Sequence, residues 1–298
     1  MCCTTHPASS NTTATIMEKP FPYPQMPLVV QEEVIRRLGA CELINFSRTC
    51  AVNYMRSRRV RAYPIKAMLL DLALQEAETP TMNLQFSGYD MDEMKTLNAL
   101  EADFGKKRIS VMESFVLKGL NPNSAAFTPE QIAQIETAVN KLLPLLAETH
   151  TIKIYGLVPT TVAKSILFAA QSVKNIDIAE MQLSETVGLD AFFPQFDDVQ
   201  DFNISNNHGI QFTSNVFPIL KKNSKALRNV TVHEYFDADS IVTFLKAANF
   251  DRAGVVDFKI EKRGVWNNFA NLRRKITAAK MNKTLPKIGI NGTFLRLN

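Results

Sequence analysis

Val173-Lys174-Asn175-Ile176-Asp177-Ile178-Ala179-Glu180-Met181-Gln182-Leu183 reads as a short strand that turns and then continues. Ile176 and Ile178 fall on one side of an extended chain and Asp177 on the other, because successive side chains alternate. Met181 and Leu183 repeat the spacing after a two-residue step. The same frame returns at Leu84-x-Phe86, Phe115-x-Leu117, Ile152-x-Ile154, Phe202-x-Ile204, Val230-x-Val232, Phe258-x-Ile260 and Ile288-x-Ile290, at intervals of 24 to 37 residues. A single match is uninformative in a chain that is 46% hydrophobic, since such a template fits about a tenth of positions by chance. Eight matches, each followed by a helical pattern, define an irregular but sustained repeat.

Thr128-Pro129-Glu130-Gln131 combines an N-cap, an N1 proline and a capping-box glutamine, and opens a helix with Ile132, Ile135, Val139, Leu142 and Leu146 inward. Phe168, Phe192, Phe217 and Phe244 lie twelve to fourteen residues beyond four strand centres and are expected to fill one interior layer. Pro218 removes a backbone donor and should shorten its helix. Strand followed by helix, iterated in one direction, gives an α/β fold with a parallel sheet on one side of a curved solenoid and helices on the other. Alternation then places Lys118, Lys153, Tyr155, Asp177, Asn203, Ser205, Thr231, His233, Lys259 and Glu261 on the concave sheet face. This polar row is the candidate target-binding surface, and it is equally what a solvated sheet face looks like.

The stretch 173–183 and Val199-x-x-Phe202-x-Ile204-x-x-Asn207 resemble the strand-and-turn unit of leucine-rich repeats position by position. Asn207 supplies the usual asparagine, whereas Met181, Tyr235 and Arg263 stand there in other units. The resemblance implies a solenoid with a parallel concave sheet, held by apolar packing rather than by a continuous asparagine ladder.

A second signal precedes the repeats. Between Pro27 and Gly39, Val30, Val34 and Leu38 recur every four residues with Ile35 beside them, opposite Gln31, Glu32, Arg36 and Arg37. Pro27 suits a first helical position and Gly39 a positive-φ stop. Leu43, Phe46 and Cys50 continue the pattern into a second helix and Tyr54-Met55 into a third. Three helices this short cannot bury all their apolar surface. Met26-Pro27, Val34-Ile35, Leu38, Glu42-Leu43 and Thr49-Cys50 resemble the F-box, notably that of the expanded nematode families. Met26 stands for the usual leucine, and the expected tryptophan near Asn53-Tyr54 is absent, the only Trp being Trp266. The resemblance implies docking onto the Skp-type adaptor of a cullin ubiquitin ligase through Met26, Pro27, Val30, Val34, Ile35, Leu38 and Leu43, while the repeats hold an unknown target protein. The alternative is a repeat scaffold with no ubiquitin link, its first helices capping the stack.

The expected organisation is a flexible leader over 1–20, poor in large apolar residues, a helical module over 21–62 and repeats over 63–298. The leader has no signal-peptide h-region and no run approaches a membrane span, so a cytoplasmic or nuclear protein with no membrane partner is expected. Four cysteines, two of them adjacent at the start, form no disulfide framework or zinc spacing, and Cys41 and Cys50 are expected to be buried. The net charge is +5, and the basic run Arg56 to Arg61 reads as a solvated helix end rather than a nucleic-acid site, having no interleaved aromatics. No Gly-rich phosphate loop, G-x-S-x-G, H-E-x-x-H or C-x-x-C occurs. His208 and His233 are isolated, and Asp197-Asp198 and Asp237/Asp239 suit helix starts. No catalytic role, cofactor or metal is expected.

Overall fold

The computed structural model describes residues 23–74, 80–88, 95–98, 109–194, 196, 198–211, 226–232, 238–258, 265–279, 287–290 and 293–295 of the chain. The leader and residues 233–237 and 259–264, with His233, Lys259 and Glu261, lie outside the described residues, as does Phe217. Three helices come first, α1 (Leu28–Arg37), α2 (Ala40–Thr49) and α3 (Ala51–Val60), followed by a mostly parallel sheet with helices between its strands.

The strands are β1 (Tyr63–Leu74), β2 (Pro80–Ser87), β3 (Lys95–Asn98), β4 (Ile109–Lys118), β5 (Thr151–Val158), β6 (Asn175–Gly188), β7 (Asp201–Ser205), β8 (His208–Gln211), β9 (Leu227–Val232), β10 (Phe250–Phe258), β11 (Lys287–Ile290) and β12 (Thr293–Leu295). They pair in the order β12-β11-β10-β9-β7-β6-β5-β4-β1-β2-β3, with β8 beside β6. The later helices are α4 (Pro129–Leu142), α5 (Thr160–Ala169), α6 (Leu189–Phe192), α7 (Ala238–Ala247) and α8 (Val265–Ala278). Parallel neighbours cannot be joined by a tight turn, and α4, α5 and α7 supply the crossovers between β4 and β5, β5 and β6, and β9 and β10.

In the parallel part, the frames Met68-x-Leu70, Phe115-x-Leu117, Ile152-x-Ile154, Ile176-x-Ile178, Phe202-x-Ile204, Val230-x-Val232, Val256-x-Phe258 and Ile288-x-Ile290 align strand by strand. Their described side chains are buried together with Ile135, Val139 and Leu142 of α4, Val162, Ile166 and Leu167 of α5, Phe244 and Leu245 of α7, and Leu272 of α8. The helices therefore cover one sheet face and the core lies between.

Two frames differ from expectation. Leu84-x-Phe86 belongs to β2, which runs antiparallel to β1 with Leu84 opposite Leu70. The place in the parallel series belongs to β1, whose nearly continuous apolar run carries no alternation to announce it. In β10 the aligned pair is Val256 and Phe258, not Phe258 and Ile260. Val256, Phe258 and Ile260 alternate equally well, and only pairing with Val230 and Val232 selects the first two. Phe192 and Phe244 are buried as expected, but Phe168 is exposed, with Lys164 Nζ 5.6 Å from its ring centre, because Ile166 and Leu167 already fill that side of α5.

Each central strand turns at the same place. Gly156, Glu180 and Asn206, each two residues past the second buried frame residue, all have positive φ, at 81°, 55° and 53°. At the middle turn Asn207 bridges the break in β6: Met181 N donates to its Oδ1 (3.0 Å), and its Nδ2 donates to the Ile178 carbonyl (3.1 Å). Glycine is required at 156 because a Cβ there would meet the Leu120 carbonyl oxygen at 2.7 Å.

Candidate interaction surfaces

The helical unit has its own small core. Ile35, Leu43 and Ile44 are buried but do not join the apolar cluster of the sheet. Gln31 is buried with them; its Nε2 donates to the Met26 carbonyl (2.6 Å), and Arg56 of α3 donates to its Oε1. Tyr23 closes the end, edge-on to Phe46 with ring centres 5.0 Å apart, and its hydroxyl donates to the Gln31 carbonyl (3.3 Å). Desolvation raises the Tyr23 hydroxyl's pKa above its ordinary value, against the opposing pull of Arg56. Arg61 donates to the Leu38 carbonyl and also reaches Glu148 Oε2 at 3.5 Å. Arg56 and Arg61 are thus structural pins within the basic run, and they hold α1 and α3 side by side in the same direction.

The local endings correct three expectations. Pro27 is the N-cap of α1 rather than its first helical residue. Gly39 is extended (φ −63°, ψ 168°) and caps α2, its N–H donating to Glu42 Oε2 at 2.8 Å. With α2 starting at once, the chain has no room for a left-handed stop. Cys50 is exposed rather than buried; its sulfur caps α3 by accepting from Asn53 N at 3.4 Å, and Cys41 is half-buried.

The seven expected adaptor-facing residues divide. Ile35 and Leu43 are internal, so they hold the unit together and offer no docking surface as it stands. Met26, Val34 and Leu38 are half-buried, while Pro27 and Val30 are exposed. Other apolar groups of the unit are exposed with Val30: Leu28, Val29 (74% exposed) and Val52, which periodicity did not single out, and Tyr54 and Met55, which it placed on the third helix. The available signal was the run Leu28-Val29-Val30, since three successive helical residues cannot share one face. Six of the eight exposed large apolar side chains among the described residues sit on this unit, a concentration that scattered exposure does not produce.

The second surface is the sheet face away from the helices. Its middle row, in register, is Val116, Lys153, Asp177, Asn203, Thr231 and Asp257. Lys118 is in register with Tyr155, and Ala179 with Ser205. The expected Lys118, Lys153, Tyr155, Asp177, Asn203, Ser205 and Thr231 therefore share this face. Asp257 takes the place beside Thr231 because β10 pairs two residues earlier than its spacing suggested. Lys118 bonds Asp71 (3.0 Å), Lys153 approaches Asp177 (3.5 Å), and Asn203 Nδ2 donates to Asp177 Oδ1 (2.7 Å). The bond to Asp71 holds the Lys118 pKa above its ordinary value. At the strand starts Asp201 accepts from Arg228 Nε (3.1 Å) and Asn229 Nδ2 (2.6 Å), a group visible only when the frame is extended two residues upstream.

Among the described residues no group of three or more His, Cys, Asp or Glu could hold a metal, and no helix is long and apolar enough to cross a membrane. No family model matches the chain, and neither a curated protein nor a solved structure matches it.

Proposed function

We propose that the chain is a substrate receptor of a Skp–cullin–F-box ubiquitin ligase: the helical unit docks onto the adaptor, and the open sheet face, read as the inner face of a leucine-rich-repeat-like solenoid, holds a target protein. One observation carries this reading. The exposed apolar side chains are gathered on a unit whose own core is separate from that of the sheet. Burying an exposed aliphatic side chain contributes roughly 1.5–3 kcal/mol, so Leu28, Val29, Val30, Val52 and Met55 together supply ample driving force for association. The recurring left-handed turn at 156, 180 and 206 and the side-chain bridge from Asn207 support the repeat reading. Nothing in this function asks for catalysis by the chain; its work is to bring two proteins together.

Capture of the full chain by purified Skp-type adaptor tests the proposal. Wild type is expected to be retained, and Val29→Asp with Val30→Asp to be lost without a change in thermal stability, because both residues are exposed. No retention of wild type, or equal retention of the double variant, rules out the ligase reading. The contact from Arg61 to Glu148 favours a second reading, in which the helices cap the sheet and the chain is a protein-binding scaffold without a ubiquitin link.

A further inference from the structure

Three ion pairs on or beside the open sheet face share an asymmetry. Lys118 is 46% exposed and its partner Asp71 21%. Lys153 is 48% exposed against 37% for Asp177, and Arg228 54% against 22% for Asp201. In each pair the cation is the more exposed partner, by a wide margin for Lys118 and Arg228 and a small one for Lys153. The carboxylates are also occupied from within the sheet: Asn203 Nδ2 bonds Asp177, and Asn229 Nδ2 bonds Asp201. The pairs are formally neutral, yet an approaching molecule meets ammonium and guanidinium groups first. Asp257, the remaining described carboxylate of the middle row, is itself half-buried.

Tyr155 stands beside Lys118 and two residues beyond Lys153 on β5, and it is the single exposed large apolar side chain on the described strands. Tyrosine is favoured at binding anchors because it offers a wide apolar ring at small cost in rotamer freedom. Lys118 flanks it in register on β4, and Ala179 and Ser205 on the next strands are short, leaving its ring standing above its neighbours. Lys118 on β4 and Arg228 on β9 are separated by four strand spacings, about 19 Å, and by five residues along the strands, about 16 Å, so an extended segment of roughly eight residues would span both.

We propose that this face binds an extended acidic segment of a target protein, with Asp or Glu carboxylates set against Lys118, Lys153 and Arg228 and one apolar side chain laid on Tyr155. The inference rests on the reading of this face as the target-binding surface and adds the chemistry of the target. Such a segment displaces no ion pair, because the outward cations have donor capacity left over.

The test is fluorescence anisotropy with the full chain and labelled peptides of about eight residues: one alternating Glu and Leu, one alternating Lys and Leu, and one alternating phosphoserine and Leu. The Glu–Leu peptide is expected to bind and to weaken as salt rises, with the Lys–Leu peptide silent. Lys153→Gln, Arg228→Gln and Tyr155→Ala should each weaken binding by roughly threefold to fivefold, the scale of one exposed charge pair or anchor. Arg273→Gln, on α8, should change nothing. Thermal melts of each variant separate weakened binding from unfolding. Absence of Glu–Leu binding, preference for the Lys–Leu peptide, binding of the phosphoserine peptide alone, or wild-type affinity in all three face variants overturns the proposal. Adaptor capture, run on the same preparations, fails independently: its loss removes the ligase reading, while peptide results remain a statement about the sheet.

Discussion

Asn207 satisfies two backbone groups of β6 that the turn at Glu180 takes out of register. Asn207→Ala leaves a half-buried N–H and carbonyl to find water, and is expected to cost about 1–3 kcal/mol in urea unfolding. Gly156→Ala combines a forbidden φ with a clash against backbone and should exceed the roughly 1 kcal/mol of a simple glycine replacement. His150 gives a pH signature. Burial, then the nearby Lys174, pushes its pKa below 6.5, with Glu113 and Glu148 partly opposing. The folded chain therefore binds this proton less readily than the unfolded one, and stability is lost as pH falls below about 6.5. His150→Asn should flatten thermal stability between about pH 7 and pH 5; an unchanged slope would show that other groups govern it.

At the scale of elements, α4 carries the clearest local code. Gln131 N donates to Thr128 Oγ1 (3.3 Å), Thr128 N donates to Gln131 Oε1 (2.9 Å), and Pro129 occupies the first turn. Thr128→Ala is expected to lower stability by about 1 kcal/mol, measured by denaturant midpoint at unchanged slope. This helix was legible because its signals are local, as were the β4-to-β7 pairings, where clean alternation leaves one register. Neither β1 nor the register of β10 was legible, since both depend on a partner strand rather than on their own spacing. In α1 the periodicity gave the helix but misjudged its inner face. The line Gln31–Ile35 faces inward because Gln31 satisfies its amide on Met26 and Arg56, a compensation invisible until the folded neighbours are known. The polar sheet row could be read as a row; its more exposed cations and less exposed carboxylates could not, because relative depth is a property of the assembled sheet.

For the whole molecule, the separation of the two apolar cores predicts how the chain comes apart. Deleting residues 1–62 removes Ile35, Leu43 and Ile44 together and leaves the sheet cluster intact, so the remainder should stay monomeric and melt cooperatively in calorimetry. Aggregation of that fragment would instead support the capping reading, with α2 and Arg61 shielding the start of β1 and the region of Glu148. The parallel series itself has a direction, and each of its ends meets an antiparallel strand, β2 beside β1 and β12 beside β11. A further strand–helix unit set beside β12 would meet a neighbour running the wrong way, whereas β3, antiparallel to β2, again runs with the series. The β12 end therefore closes the stack to growth by parallel pairing, while a unit running with the series can be accommodated between existing units or beside β3.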